Sequence, residues 1–575
     1  MAPRFPPHFE LSEARIRVAG ATLHGALTVS ETTRGAAGQG ARLMSGDPIR
    51  AAGRPVSAYA ITALGLITVA SIAAFDLGPP VAFNDDYAYA WSARHLFAGP
   101  IYPQQTALAL PQIVVGWLVS LPFGHDQRAL RLSVLVAILL GAFAAWRLAS
   151  RLGAGRQWAL MAPLVMLTSP IFFNLAVTFM SDVAYVGLLL LACNAGAAWL
   201  EGKRDRASFV AWATLATLQR VFGVVVVLSL ALALVIRARQ RGTRIDRSDA
   251  AWLAAAFAGS AAAAVLPALL GASAGINVVD RLTHIDAGAL LNPLAHLPVV
   301  GGYMLLPLLG AVAIAWNRRS IAVVVIAAAL VLLAQWRFSW LPGNIWTLVG
   351  PAPTLAGHKE PPVSLAVNLV VIALSPVVFL LVGPAAVDRW ATAARADVRV
   401  IFLLFVSGAQ LALLIPNTLT LFDRYYLPVL APLVPIVCAL GQRYSRPGGL
   451  AVASVACAAM LVLSAVYELD YQSWQWARDA AAQLAYRCAP PDRVNAGYEA
   501  NAVYIEIPAF EATGKFDVGR IGRLFTINGP PNPLLRLEYA AATDPRPGVA
   551  YGVLTRGRVA IDGAVCSAAT VNGAR

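Results

Sequence analysis

Residues 182–200 read DVAYVGLLLLACNAGAAWL, an apolar run closed on one side by a single acid, Asp182, and on the other by the charged stretch EGKRDR at 201–206. A helix of this length spans about 30 Å, the hydrocarbon thickness of a bilayer. Stretches long enough, or nearly long enough, to cross recur at about 56–76, 130–149, 157–175, 182–200, 207–218, 221–236, 250–271, 301–316, 320–336, 364–384, 400–416, 427–442 and 448–467. Over the 575 residues, 58% are hydrophobic and 13% charged, which lies outside the range of soluble globular chains. The expectation is an all-α polytopic membrane domain of about thirteen crossings.

The formal net charge of +14 does not indicate nucleic acid, because the cations are spread over short loops between apolar runs instead of forming one patch. Placing the N-terminus inside puts Arg147, Arg151, Arg156, Lys203, Arg206, Arg237, Arg318, Arg389, Arg399 and Arg443 on the cytoplasmic side, as the positive-inside rule requires. That assignment holds only if the apolar stretch 106–123, with Pro111 and Pro122, is an interfacial or re-entrant helix and not a crossing. Segments 207–218 and 221–236 read as a shallow hairpin with Gln219 and Arg220 at its outer tip.

Three regions follow. Residues 1–55 form a polar tail without a cleavable signal, expected to be disordered and cytoplasmic. Residues 56–468 form the membrane domain, and 469–575 form a small soluble α/β domain outside, suggested by alternation at Tyr504–Ile507 and Val549–Val553. Cys193, Cys438 and Cys457 fall in apolar runs and read as core residues, while Cys488 and Cys566 in the outer domain suit one disulfide in an oxidising compartment.

Chemistry concentrates on the outer side. Asp85 and Asp86 follow the first crossing within FNDDYAYAW at 83–91, where adjacent carboxylates repel and burial of either raises its pKa toward that of a useful base. The same pair could instead be a solvated helix N-terminus. Asp182 could cap its helix together with Ser181, yet an acid at membrane depth points first to function. Arg220, and Arg424 beside Tyr425 in FDRYYLP at 422–428, are the scarce outer cations, suited to anchoring at headgroups or to holding a phosphate. His284 and His296, with Asp280 and Asp286, match no zinc spacing. The sequence contains no P-loop, dinucleotide fingerprint or nucleophile elbow, so any energy must arrive with the substrate.

The order and sidedness of these parts resemble the GT-C superfamily of membrane glycosyltransferases, which includes bacterial aminoarabinose transferases and protein O-mannosyltransferases. The resemblance covers about residues 56–470. It is carried by Asp85-Asp86 after the first helix, the run from Arg131-Leu132 to Arg151-Leu152-Gly153, Met180-Ser181-Asp182, and Arg424-Tyr425-Tyr426-Leu427-Pro428. The stretch Gly99 to Gln105 departs from it, lacking the charged Lys-Pro-Pro element of many relatives.

The resemblance implies inverting transfer of a sugar from a polyprenyl-phosphate donor to an envelope lipid, glycan or protein on the outer face of a bacterial inner membrane, with the C-terminal domain periplasmic. It implies Asp85 as the base, Asp86 and Asp182 as positioning groups or ligands of a divalent cation, and Arg220, Arg424 and Tyr425 at the donor phosphate. A transporter or flippase, or a noncatalytic scaffold for envelope assembly, are the competing readings.

Overall fold

The computed structural model describes residues 58–78, 85–98, 108–203, 205–269, 287–308, 397–415, 422–445, 448–513, 533–541, 545–551 and 557–563, with isolated positions between them. Six helices among these residues are long and apolar enough to cross a membrane, or eight if two bent pairs each count as one span. Of the expected stretch 301–316, residues 301–308 are described and close a helix that begins earlier, at Ala287, while 320–336 and 364–384 lie largely outside the described residues.

The first crossing is α1 (Ala58–Asp76), followed by the short α2 (Asp86–Arg94) and α3 (Leu110–Ser120). At eleven residues α3 covers only about 16 Å, too little to cross. Its start is set by Pro111 and by Ala109 in the left-handed region (φ 52°), and a 3-10 turn ending at Gly124 (φ 63°) closes it. The reading of 106–123 as a non-crossing helix therefore agrees with the geometry.

The bundle is built around α4 (Gln127–Arg151) and α7 (Ser181–Leu200). Apolar on every side, α7 is 89% buried along its membrane window and forms the centre of the bundle. Glycines let it approach α4 closely: a Cβ on Gly187 would lie 2.7 Å from the Ala137 carbonyl oxygen.

Between them, α5 (Arg156–Thr168) and α6 (Pro170–Ala176) are one expected crossing broken by a 68° bend. Pro170 lacks an N–H and keeps Ser169 extended, which ends α5. After α8 (Arg206–Gln219) the chain turns through an extended Arg220 and a 3-10 segment into α9 (Val225–Gln240), the expected hairpin. Gly223 is needed there because a Cβ would come within 2.5 Å of the Ala216 backbone.

The remaining described helices are α10 (Arg247–Leu269), α11 (Ala287–Leu305), α12 (Val398–Ala412), the short α13 (Leu427–Leu430), α14 (Leu433–Tyr444) and the forty-residue α15 (Gly449–Cys488). At about 60 Å, α15 is twice the hydrocarbon thickness. The boundary expected near 468 falls inside this helix, which continues without a break to Cys488.

Beyond it come β1 (Val494–Asn495), α16 (Tyr498–Asn501), a π-helical segment (Ala502–Glu506), α17 (Ile507–Thr513), β2 (Leu535–Ala541), β3 (Gly548–Tyr551) and β4 (Gly557–Asp562). The strands form one sheet of order β1-β2-β4-β3, with β1 parallel to β2 and the other pairs antiparallel. Of the two alternating stretches, Val549 lies in a strand as expected, whereas Tyr504–Ile507 is helical. Ile507, with Val503 just before the stretch, packs on α2, a tertiary contact that overrides the period-two pattern.

Opposite ends of α7 differ in character. At its C-terminal end, Arg151 and Arg399 converge on Glu201, and Arg206 and Arg237 on Asp249. The N-terminal end carries Asp182 and Arg220.

Candidate functional site

Asp85 precedes α2 as its N-cap and Asp86 is its first helical residue, and the two side chains go to different partners, Arg424 and Arg131. Asp86 turns inward and is fully buried. Its Oδ1 accepts the Phe83 N–H at 2.8 Å, and its Oδ2 receives the Gln127 amide at 3.2 Å and Arg131 at 3.4 Å. Arg131, also fully buried, lies 4.1 Å from the centre of the Phe83 ring and donates to the Val81 carbonyl. Together these contacts tie the entry to α2 onto α4.

Burial pushes the Asp86 carboxyl up to about 6, against the opposing pull of Arg131. Because this value exceeds that of the unfolded chain, the folded state binds the proton more tightly, and the resulting stability is present in acid and lost as pH rises through about 4 to 6. Asp86→Asn should flatten that part of the profile of thermal midpoint against pH, an effect on the order of 3 kcal/mol across the window. An unchanged slope in the variant would show that Asp86 does not set it.

Asp85 is the partly exposed member of the pair, its side chain 25% accessible, and its Oδ2 lies 3.5 Å from Arg424 Nη2. One helical turn further, Tyr89 places its hydroxyl 3.2 Å from Ser181 Oγ. Burial raises the Tyr89 hydroxyl to about 12, with the charges of Arg220, Asp85 and Asp182 all acting on it. Tyr89 is therefore where the two sides of the site meet.

On the far side, Arg220 pairs with Asp182 at 3.0 Å and donates to Ser181 Oγ from Nε at 3.1 Å and from Nη2 at 2.8 Å. Its extended backbone, between α8 and the following 3-10 turn, is what lets the side chain reach α7. Gln219 donates to the Ser181 carbonyl at 3.2 Å and to Gln112 at 2.9 Å, and Gln112 donates to the Phe179 carbonyl at 2.8 Å. These amides join α3, α7 and α8 behind the ion pair. Ser181 does not cap α7, since its hydroxyl is committed to Arg220.

Arg424 sits in a 3-10 turn at 423–426, at the head of the bent pair of α13 and α14. It is 6% exposed and lies against the rings of Phe422 at 5.2 Å and Tyr425 at 5.5 Å. Both Asp85 and Asp182 act on it electrostatically. Its Nε and Nη1 are buried and have no hydrogen-bond partner among the described residues, as is also true of both carboxylate oxygens of Asp182. Buried polar groups of this kind are costly unless something binds them.

Asp85, Asp182, Arg220, Arg424 and Tyr425 thus share one locality, while Asp86 belongs to the support beneath it. Sequence reading missed Tyr89 and Gln112 as participants, although Tyr89 lies one helical turn beyond Asp85, and it read Ser181 as a helix cap where the structure gives its hydroxyl to Arg220. Among the described residues, no group of three or more His, Cys, Asp or Glu could hold a metal ion. Asp85 and Asp182 each face a guanidinium, a pairing that does not fit a divalent cation between them. His296 is buried on α11, and Asp280, His284, Asp286 and Gly99 to Gln105 lie outside the described residues. Cys488 is disulfide-bonded, Cys193, Cys438 and Cys457 are free and buried, and Cys566 lies outside the described residues.

No curated protein matches the chain significantly. Among solved structures, ArnT from Cupriavidus metallidurans in the apo state is similar over 87% of this chain and 96% of its own, at 16% identity and a TM-score of 0.39. ArnT bound to undecaprenyl phosphate is similar over 88% and 98%, at 15% identity and a TM-score of 0.41. The Archaeoglobus fulgidus oligosaccharyltransferase tethered to an acceptor peptide is similar over 76% and 58%, at 14% identity and 0.39. Residues 111–269 match the model of the dolichyl-phosphate-mannose-protein mannosyltransferase family. That match does not favour a transporter or flippase. It runs from α3 through α10, the part of the chain that carries Arg131, Asp182 and Arg220, and over these residues the chain is similar to a family of membrane glycosyltransferases.

Proposed function

We propose that the chain transfers a sugar, with inversion, from a polyprenyl-phosphate donor to a hydroxyl-bearing envelope acceptor, a lipid, glycan or protein, on the outer face of a bacterial inner membrane. The observation that carries this reading is the Asp85–Arg424 contact at 3.5 Å, which sets a partly exposed carboxylate against a buried guanidinium with two uncommitted N–H positions. A base beside an anion site is what transfer from a lipid phosphate requires.

The acceptor hydroxyl attacks the anomeric carbon and its proton passes to Asp85, forming the new glycosidic C–O bond. The bond from the anomeric carbon to the phosphate oxygen breaks, and polyprenyl phosphate departs as a stable anion needing no general acid. Arg424, with Tyr425 against it, receives the departing charge in a site where water competes poorly. Asp182, paired with Arg220 but accepting no hydrogen bond among the described residues, is placed to accept from a substrate hydroxyl, and Arg220 orients it. On this topology α7 begins outside, and the C-terminal sheet is periplasmic.

The test is purified protein in lipid nanodiscs given a polyprenyl-phosphate-linked sugar. Stoichiometric release of polyprenyl phosphate with glycosylated acceptor supports the reading. Mass comparison of envelope glycans and glycolipids with and without the gene identifies the sugar and its location. A gene deletion that alters no envelope glycan, together with no donor turnover, rejects it.

A further inference from the structure

The C-terminal segment reaches back to the helix that carries Asp85. On one face of α2, Ala90, Ala93 and Tyr89 join the membrane core. On the other, Tyr87, Ala88 and Trp91 pack with Ala502, flanked by Val503 and Ile507. Trp91 Nε1 donates to Glu511 Oε1 at 2.8 Å, a contact between residues 420 apart in the chain. Just before Asp85, Val81 and Phe83 pack against Tyr471, Trp474 and Val559 of α15 and the sheet. Both flanks of Asp85 are therefore held from outside.

The holding segment is itself fastened. Glu499, 2% exposed, accepts from Gln475 at 3.3 Å and pairs with Arg478, which fixes residues 498–501 to α15. The chain then passes through a π-helix at 502–506, a rare conformation frequently found at functional sites, before reaching Glu511. A nine-residue helix such as α2 has no independent stability, so its placement comes from the two surfaces that enclose it.

We propose that Glu511 is a positioning residue: by accepting the Trp91 indole N–H it holds α2 in the orientation that presents Asp85 to Arg424. The proposal rests on the reading of Asp85 as the base. Accepting an indole N–H needs an oxygen and not a charge, so glutamine should serve where alanine does not. A displaced base mainly slows the chemical step, and a shift of about 1 Å in a catalytic group can cost up to about 100-fold.

The experiment uses the full chain in nanodiscs. With Glu511→Ala and Trp91→Phe, kcat should fall by about 10-fold or more while the donor KM stays within about twofold, and the double variant should be no worse than either single one. Glu511→Gln should keep the wild-type kcat. In parallel, hydrogen exchange of a peptide covering residues 85–94 should quicken in Glu511→Ala and Trp91→Phe but not in Glu511→Gln, with α7 unchanged.

Equal impairment by Glu511→Ala and Glu511→Gln, or faster exchange throughout the C-terminal region, would overturn the proposal in favour of a general structural role. Full kcat and unchanged exchange in Glu511→Ala would overturn it outright. If instead the Asp85→Asn protein transfers sugar normally, the reading of Asp85 fails, while the exchange data still report whether Glu511 holds α2.

Discussion

Asp85→Asn should lower the rate of sugar transfer by about 10²–10⁴-fold, the range a positioned general base contributes. Asparagine has nearly the same shape, and Asp85 makes no side-chain cap to α2, so the helix should keep its place. The Arg424 guanidinium should then be less neutralised in the resting site, so donor binding should be unchanged or tighter. The informative measurement is single-turnover transfer at saturating donor, alongside donor affinity. Loss of the chemical step with donor binding retained is the expected pattern. A normal single-turnover rate would remove Asp85 from proton transfer. Asp86→Asn provides the contrast, since Asp86 lies beneath the site and accepts the Phe83 N–H through an oxygen that asparagine can supply.

Much of this arrangement could be read from the order of residues because a bilayer imposes simple rules on a chain. The run 182–200 became α7 almost residue for residue, since its length, uniform apolarity and charged exit admit few alternatives. The prolines at 111 and 122 and the positive loops together required 106–123 not to cross, and α3 is too short to do so. What stayed hidden depends on direction and on distant contact. Asp85 and Asp86 look equivalent as letters, yet one stays outside α2 as its N-cap and pairs with Arg424, while the other enters the helix and turns to Arg131. Pro170 signals a break in the third crossing, but not its 68° angle. The helical Tyr504–Ile507 and the Glu511 contact depend on surfaces 400 residues earlier in the chain, which no local pattern encodes.

Arg424→Ala should have the second large effect, and it should fall on both donor affinity and rate. In the folded chain this guanidinium compensates Asp85 and feels Asp182, so its removal leaves two acids crowding the place where a phosphate must bind. Losing a preorganised donor to a developing anion costs about 10²–10³-fold in rate. Arg424→Lys should recover only part of this, because an ammonium restores charge but not the fork of N–H groups that leaves Nε and Nη1 available beyond the Asp85 contact. Full kinetics on both variants separate the contributions: a raised donor KM reports lost ground-state binding, and a lowered kcat reports lost stabilisation of the leaving phosphate. If Arg424→Ala were to turn over with wild-type constants, the phosphate would have to bind elsewhere. Arg220, already committed to Asp182 and Ser181, would be a poor substitute, because freeing it would strip a buried carboxylate of its counter-charge.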